Sequence, residues 1–241
     1  MFDHVTIRVA RRTESERFYD LVLQTLGVEK THSSEHYVEW GSFGLAEQSD
    51  EKPMTRNLHV GFAASSREAV DAFWRAGIEA GFRDDGAPGE RPQYSPTYYG
   101  AFLRDPDGNS AEAVHHVAVE NRAEIDHLWI RVVDLDAAKL FYDRLAPFTG
   151  FELRRESQVR AQFAGDAASF SIVTGAPTQH VHMAFPAASN STVDGFHAAA
   201  LELGGRDNGG PGERSVYHSG YYSAFVLDPD GNNVEVVNHN R

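Results

Sequence analysis

AFVLDPDGNNVEVV, at residues 224–237, is a near copy of AFLRDPDGNSAEAV at residues 101–114. Each reads as a strand, a tight turn and a strand. In the second copy Pro229 sets φ to about −65° and Gly231 supplies the positive φ that the turn needs. Beyond the turn the side chains alternate, with Val234 and Val236 on one face and Asn233, Glu235 and Val237 on the other. A carboxylate in the middle of a strand is costly to bury without a partner, and a metal ion is one such partner.

The copying extends along the chain at a constant offset of 123 residues (4 to 127, 59 to 182, 112 to 235). At that offset Asp3-His4 matches Asp126-His127, Phe18-Tyr19-Asp20 matches Phe141-Tyr142-Asp143, and Tyr98-Tyr99 matches Tyr221-Tyr222. The match loosens only between about residues 28 and 56. A repeat this long is a duplicated domain. The polar run 115–124 marks the boundary, giving units 1–118 and 119–241.

The bulk numbers narrow the class. The chain has 241 residues, 41% hydrophobic and 24% charged, which suits a globular protein with a sizeable core. A net charge of −13 argues against a nucleic-acid or anionic-membrane partner, both of which need clustered Lys and Arg. With no cysteine there is neither a disulfide framework nor a thiolate metal site. No signal peptide or membrane-length apolar run is visible, so a cytoplasmic location is expected.

Within each half the pattern is strand, helix, strands, given twice. Residues 2–9 alternate, with Val5, Ile7 and Val9 on one face and His4, Thr6 and Arg8 on the other. A helix follows, for which Thr13 to Glu16 offers a capping box and Gly27 a stop. Two short strands, 36–40 and 43–48, come next. Residues 57–63 alternate again, with Leu58, Val60 and Phe62 inward and His59 outward. Ser66 is positioned to cap a second helix. Residues 84–97, rich in Gly and Pro, read as a loop before the closing hairpin.

On the faces opposite the helices lie His4, His59 and Glu112 in the first half and His127, His182 and Glu235 in the second. Two imidazoles and a carboxylate suit a divalent metal and leave coordination positions open for water or substrate.

These words together resemble the vicinal oxygen chelate superfamily, which includes glyoxalase I, extradiol dioxygenases, methylmalonyl-CoA epimerase and the fosfomycin and bleomycin resistance proteins. The resemblance rests on FDHVTIRV and IDHLWIRV, RFYD and LFYD, NLHVGF and HVHMAF, and the two DPDGN hairpins. It implies an α+β fold of two tandem domains, each a pair of βαβββ modules forming a curled sheet around a cleft. His4, His59, Glu112, His127, His182 and Glu235 would be the metal ligands. Whether modules pair within a half or across halves is left open by the sequence. A fourth ligand is weakly served: Glu47 is the candidate in the first half, and 170–174 offers only hydroxyls in the second. His218 sits at the place of the acid–base histidine in the extradiol signature, although Val226 replaces that motif's tyrosine.

The resemblance implies a metal-dependent glyoxalase- or dioxygenase-type enzyme acting on a small oxygenated molecule. Iron(II) is the favoured ion, with manganese, nickel, cobalt and zinc as alternatives. The competing expectation is a protein of the bleomycin-resistance kind that sequesters a ligand without turnover. The duplication further implies an internal pseudo-dimer. Arg8 and Arg131 share the cleft face and serve either a substrate carboxylate or a structural ion pair. The tyrosines 94, 98, 99, 217, 221 and 222 read as pocket walls or as loop packing, and His115, His116, His197 and His239 as surface residues.

Overall fold

The computed structural model describes residues 1–116 and 124–240. The expected domain boundary at 118/119 lies outside the described residues. The first module comprises β1 (His4–Val9), α1 (Arg12–Gln24), β2 (His32–Ser33), β3 (Tyr37–Trp40) and β4 (Phe43–Glu47). The second has β5 (His59–Ala63), α2 (Arg67–Glu79), β6 (Arg83–Glu90), β7 (Tyr99–Arg104) and β8 (Ser110–His115). The third has β9 (Ile125–Val132), α3 (Leu135–Thr149), β10 (Glu152–Ser157), β11 (Arg160–Ala164) and β12 (Ser169–Thr174). The fourth has β13 (His182–Pro186), α4 (Asn190–Glu202), β14 (Arg206–Glu213), β15 (Tyr222–Leu227) and β16 (Asn233–Asn238).

The strands form two mixed sheets of eight, in the orders β14-β15-β16-β13-β1-β4-β3-β2 and β10-β11-β12-β9-β5-β8-β7-β6. The α+β composition stands, but the expected curled sheet around a cleft is corrected. Each sheet is an open row that neither curls nor closes, ending in unpaired edges at β14 and β2, or at β10 and β6. Each also draws its strands from both halves. The central seams are antiparallel: Thr6 faces His182 where β1 meets β13, and Gly61 faces His127 where β5 meets β9.

Alternation explains most elements. Val5, Ile7 and Val9 are fully buried, as are Leu58, Val60 and Phe62. These side chains share one continuous core with the helices. Aromatic contacts cross between the sheets: Phe43 of β4 meets Phe62 of β5 at 5.1 Å, and Phe170 of β12 meets Phe185 of β13 at 6.2 Å. Within each half, the helix tyrosine of the FYD word also reaches the first aspartate of DPDGN. Tyr19 donates to Asp105 Oδ2 at 3.0 Å and Tyr142 to Asp228 Oδ2 at 2.7 Å. The repeated words are thus two sides of one buried contact.

Two local expectations change. Helix α1 begins two residues earlier than a Thr13 cap requires: Arg11 is its N-cap and gives no side-chain cap. Ser66 does cap α2, accepting from the Ala69 N–H at 3.2 Å. Part of the expected 84–97 loop is strand β6, whose register against β7 shifts on either side of Gly86. Gly86 has φ +153°, so the Gly-rich composition here makes a bulged edge strand rather than a loop.

Candidate metal centres

The six candidate ligands converge, but across the halves. His4, His182 and Glu235 form one cluster, and His59, Glu112 and His127 the other. In each, one donor atom per residue lies within 4.8 Å of the others. The sequence left open whether the ligands group within or across halves, and here they group across them. The reason is sheet order: each cluster occupies three adjacent strands, β16-β13-β1 or β8-β5-β9. Residues diagonal to one another across neighbouring strands present their side chains on the same face.

In the first centre His182 Nε2 lies 2.9 Å from Glu235 Oε2, and His4 Nε2 lies 3.6 Å from it. The two imidazoles stack with centroids 5.0 Å apart. In the second, His59 Nε2 is 2.9 Å and His127 Nε2 3.3 Å from Glu112 Oε2, with 3.1 Å between the imidazole nitrogens. Both glutamates are almost wholly buried.

The surrounding residues fix which atoms face inward. Nδ1 of His4 meets Asp3, Nδ1 of His127 meets Asp126, Nδ1 of His59 meets Ser110, and Nδ1 of His182 meets Asn233. All four Nε2 atoms are left toward the shared carboxylate oxygen. Each glutamate's other oxygen is held by a tyrosine: Tyr98 donates to Glu112 Oε1 at 2.7 Å, and Tyr221 to Glu235 Oε1 at 2.8 Å. Outer partners of this kind orient metal ligands and tune their basicity.

The electrostatics agree with a site built for positive charge. Burial raises the Glu112 carboxyl, yet hydrogen bonds with His127 and His59 hold it down at about 2. Burial disfavours the His127 imidazolium, but Asp126 and Glu112 outweigh it and raise the group to about 10. His59 and His182 are both shifted down by burial, which favours the neutral form a metal needs. Tyr98 and Tyr221 are shifted strongly up, first by burial and then by their glutamates, so both hydroxyls keep their protons.

Other candidates fall elsewhere. Glu47 is exposed and pairs with Val9, five residues along β1 from His4, which is roughly 17 Å at about 3.3 Å per residue. His218 is outside both clusters: its Nε2 lies 2.8 Å from His239 Nδ1, and His239 Nε2 lies 2.8 Å from Asp3 Oδ2. The chain His218, His239, Asp3, His4 thus reaches the first centre from outside. Arg8 and Arg131 donate to backbone carbonyls of Glu47 and Asn57. Tyr99 and Tyr222 donate to Asp71 and Asp194.

Several contributors escape sequence reasoning. His116 and His239 are half-buried supports of Asp126 and Asp3, at 2.9 and 2.8 Å, rather than plain surface residues. Their signal was present, since they match at the repeat offset. Gly61 is another: a Cβ there would lie 2.3 Å from His127 Cε1.

Beside the second centre, Tyr94, Tyr98, His127 and Trp129 line both a small cavity of about 190 Å³ over His59 and Glu112 and a larger one of about 590 Å³. Arg160 stands in the wall of the larger cavity.

Two open mixed sheets thus carry two buried His/His/Glu clusters whose geometry is consistent with a divalent ion, the second of them beside a cavity. The family model of the Glyoxalase/Bleomycin resistance protein/Dioxygenase superfamily matches residues 1–113 and again 124–236, so the chain belongs to that superfamily as a two-copy member. Glyoxalase I from Zea mays is similar at 18% identity, over 99% of this chain and 92% of that one, with a TM-score of 0.70. A putative dioxygenase from Bacillus subtilis subsp. subtilis str. 168 is similar at 14% identity, over 100% and 85%, with a TM-score of 0.66. These likenesses establish the fold alone. No curated protein matches the chain. Among the described residues no helix is long and apolar enough to cross a membrane.

Proposed function

We propose that the chain is a metal-dependent enzyme of glyoxalase or dioxygenase type, acting on a small oxygenated molecule. The observation that carries this reading is the repeated donor set. Twice, two imidazole Nε2 atoms and one carboxylate oxygen converge while every outer nitrogen and the second carboxylate oxygen are held by the protein. His4, His182 and Glu235 would hold one ion, and His59, Glu112 and His127 the other. Iron(II) is the ion favoured by this donor set, with manganese, nickel, cobalt and zinc also accommodated. When bound, such an ion supplies Lewis acidity and a template for adjacent substrate oxygens.

The chain's own residues supply the rest. Asp3 and Asp126 hold the imidazoles of His4 and His127 in the tautomer that presents Nε2. Tyr98 and Tyr221 orient the glutamates. His218 is assigned to proton movement, working through His239 at the outer edge of the first centre. The units of duplication are taken as 1–118 and 119–241, and the substrate as a small molecule.

The test is metal analysis of the purified chain alongside Glu112→Ala and Glu235→Ala. Two ions per chain are expected, with one lost in each variant. Less than one ion in the wild type, unchanged by either substitution, overturns the reading. Turnover assays with vicinal-oxygen compounds then separate an enzyme from a protein that only sequesters its ligand.

A further inference from the structure

The two centres are copies, yet they differ in charge where the third strand of a module passes the cluster. In the first centre β3 supplies Tyr37 and Glu39, and Tyr37 donates to Glu39 Oε2 at 3.2 Å. Glu39 pairs with Gly44 of β4, which pairs with Thr6, two residues along β1 from His4. At the repeat offset β11 supplies Arg160 and Gln162. An acid has been replaced by an amide and a neutral phenol by a guanidinium, so this wall is two charges more positive.

Arg160 is held in place but not neutralised. Its Cζ stacks over the Trp129 ring at 4.6 Å, and its Nε donates to Ser171 Oγ at 3.1 Å. Both supports are specific to this half. Thr6 and Gly44 occupy the places of Trp129 and Ser171 in the strand register of the first module. Among the described residues Arg160 forms no ion pair, so its two terminal nitrogens have no carboxylate. Of the acids lining the same cavity, Asp126 pairs with His116 and His127 and Glu156 with Lys139, while Asp166 is exposed and interacts with the Met1 amine. The guanidinium lines the 590 Å³ cavity that His127 and Trp129 also line. A half-buried, oriented fork with free N–H groups matches a carboxylate bidentately.

Resting on the metal reading above, we infer that the His59/Glu112/His127 centre takes an organic acid, its carboxylate held by Arg160 while its oxygens face the metal ligands. The His4/His182/Glu235 centre, with Tyr37 and Glu39 in that place, does not share this preference. Arg160 is therefore a specificity-determining residue that distinguishes this centre from its copy.

The experiment compares 3,4-dihydroxybenzoate with its uncharged isostere 3,4-dihydroxybenzamide, by anaerobic calorimetry on the full chain. It uses the Mn(II)-loaded and the metal-free protein, with metal content measured on the same samples. The acid should bind at least ten-fold more tightly than the amide. Arg160→Gln should erase that difference while leaving metal content unchanged. Quenching of tryptophan emission by the acid should be lost in Trp129→Phe. Equal binding of acid and amide by the wild type overturns the inference without needing any variant, as does a preference that survives in Arg160→Gln. If the chain holds no metal but the metal-free protein keeps an Arg160-dependent preference for the acid, the metal reading fails and the inference stands.

Discussion

Gly61 on β5 lies directly across the sheet from His127 on β9, and the imidazole fills the space a side chain at residue 61 would need. An added Cβ would stand 2.3 Å from Cε1 and 2.6 Å from Nδ1. The equivalent pair in the other sheet is Ala184 and His4, where a methyl group is tolerated. His127 is 6% exposed, and its close approach to Glu112 depends on that missing methyl. Gly61→Ala should therefore displace His127 from the second centre alone. Metal analysis should fall from two ions to one, and denaturant unfolding should show a loss of about 1–3 kcal/mol from overpacking.

The crossed grouping of ligands makes a prediction that no within-half arrangement shares. Glu112 and His127 belong to different repeats but to one cluster. The double variant Glu112→Ala/His127→Ala should retain one ion per chain. Glu112→Ala/His4→Ala, with both changes in the first repeat, should retain none. The reverse result would show that the sites assemble within halves.

Proton release should accompany metal uptake at the second centre. Burial opposes the charge on His127, but its two carboxylate partners keep the imidazole protonated to about pH 10. Glu112, held at about 2, stays ionised throughout the working range. A metal must displace the His127 proton, so affinity rises with pH until about 10, by up to about ten-fold per unit. Calorimetry of Glu235→Ala, which leaves only this centre, in buffers of different ionisation enthalpy should report about one proton released per ion. In the metal-free chain the same raised pKa contributes stability below the unfolded value of about 6.5. That contribution is lost as pH climbs through about 10.

Tyr98 and Tyr221 anchor one oxygen of each glutamate. Replacing either with Phe leaves a buried charged acceptor short of a donor. Metal affinity at the corresponding centre should drop about 10–100-fold, the usual effect of losing an outer partner. Competition with a fluorescent chelator measures it, and the other centre should be unaffected.

Tyr19→Phe tests the contact between the FYD and DPDGN words. Its hydroxyl is buried against Asp105, whose carboxyl is pushed up to about 6 by burial against opposing hydrogen bonds. Loss of a hydrogen bond to a charged group should cost about 1.5–3 kcal/mol in chemical denaturation, without change in metal content.

Much of this was legible in the residues. The 123-residue offset gave the duplication, strand alternation placed His4, His59 and Glu112 on one class of face, and residue chemistry named the donor set. The pairing of β1 with β13 was not legible, because alternation fixes which face a side chain takes but not which distant strand lies alongside. That same gap hid the grouping of ligands. Strand β6 was missed because glycine and proline punctuate edge strands as readily as loops. His116 and His239 match at the repeat offset, but that match does not name a partner; their contacts with Asp126 and Asp3 do.

The interleaving of the sheets sets a timetable for the nascent chain. As synthesis proceeds from the N-terminus, β1 and its His4 emerge long before β13, the strand that covers their open flank. Until residues 182–186 leave the ribosome, the first module carries a naked β-edge that other strands can capture. The His59/Glu112 side is served sooner, since β9 follows within the next stretch of chain. The two candidate metal pockets should thus mature in sequence, the one bearing Arg160 before its twin.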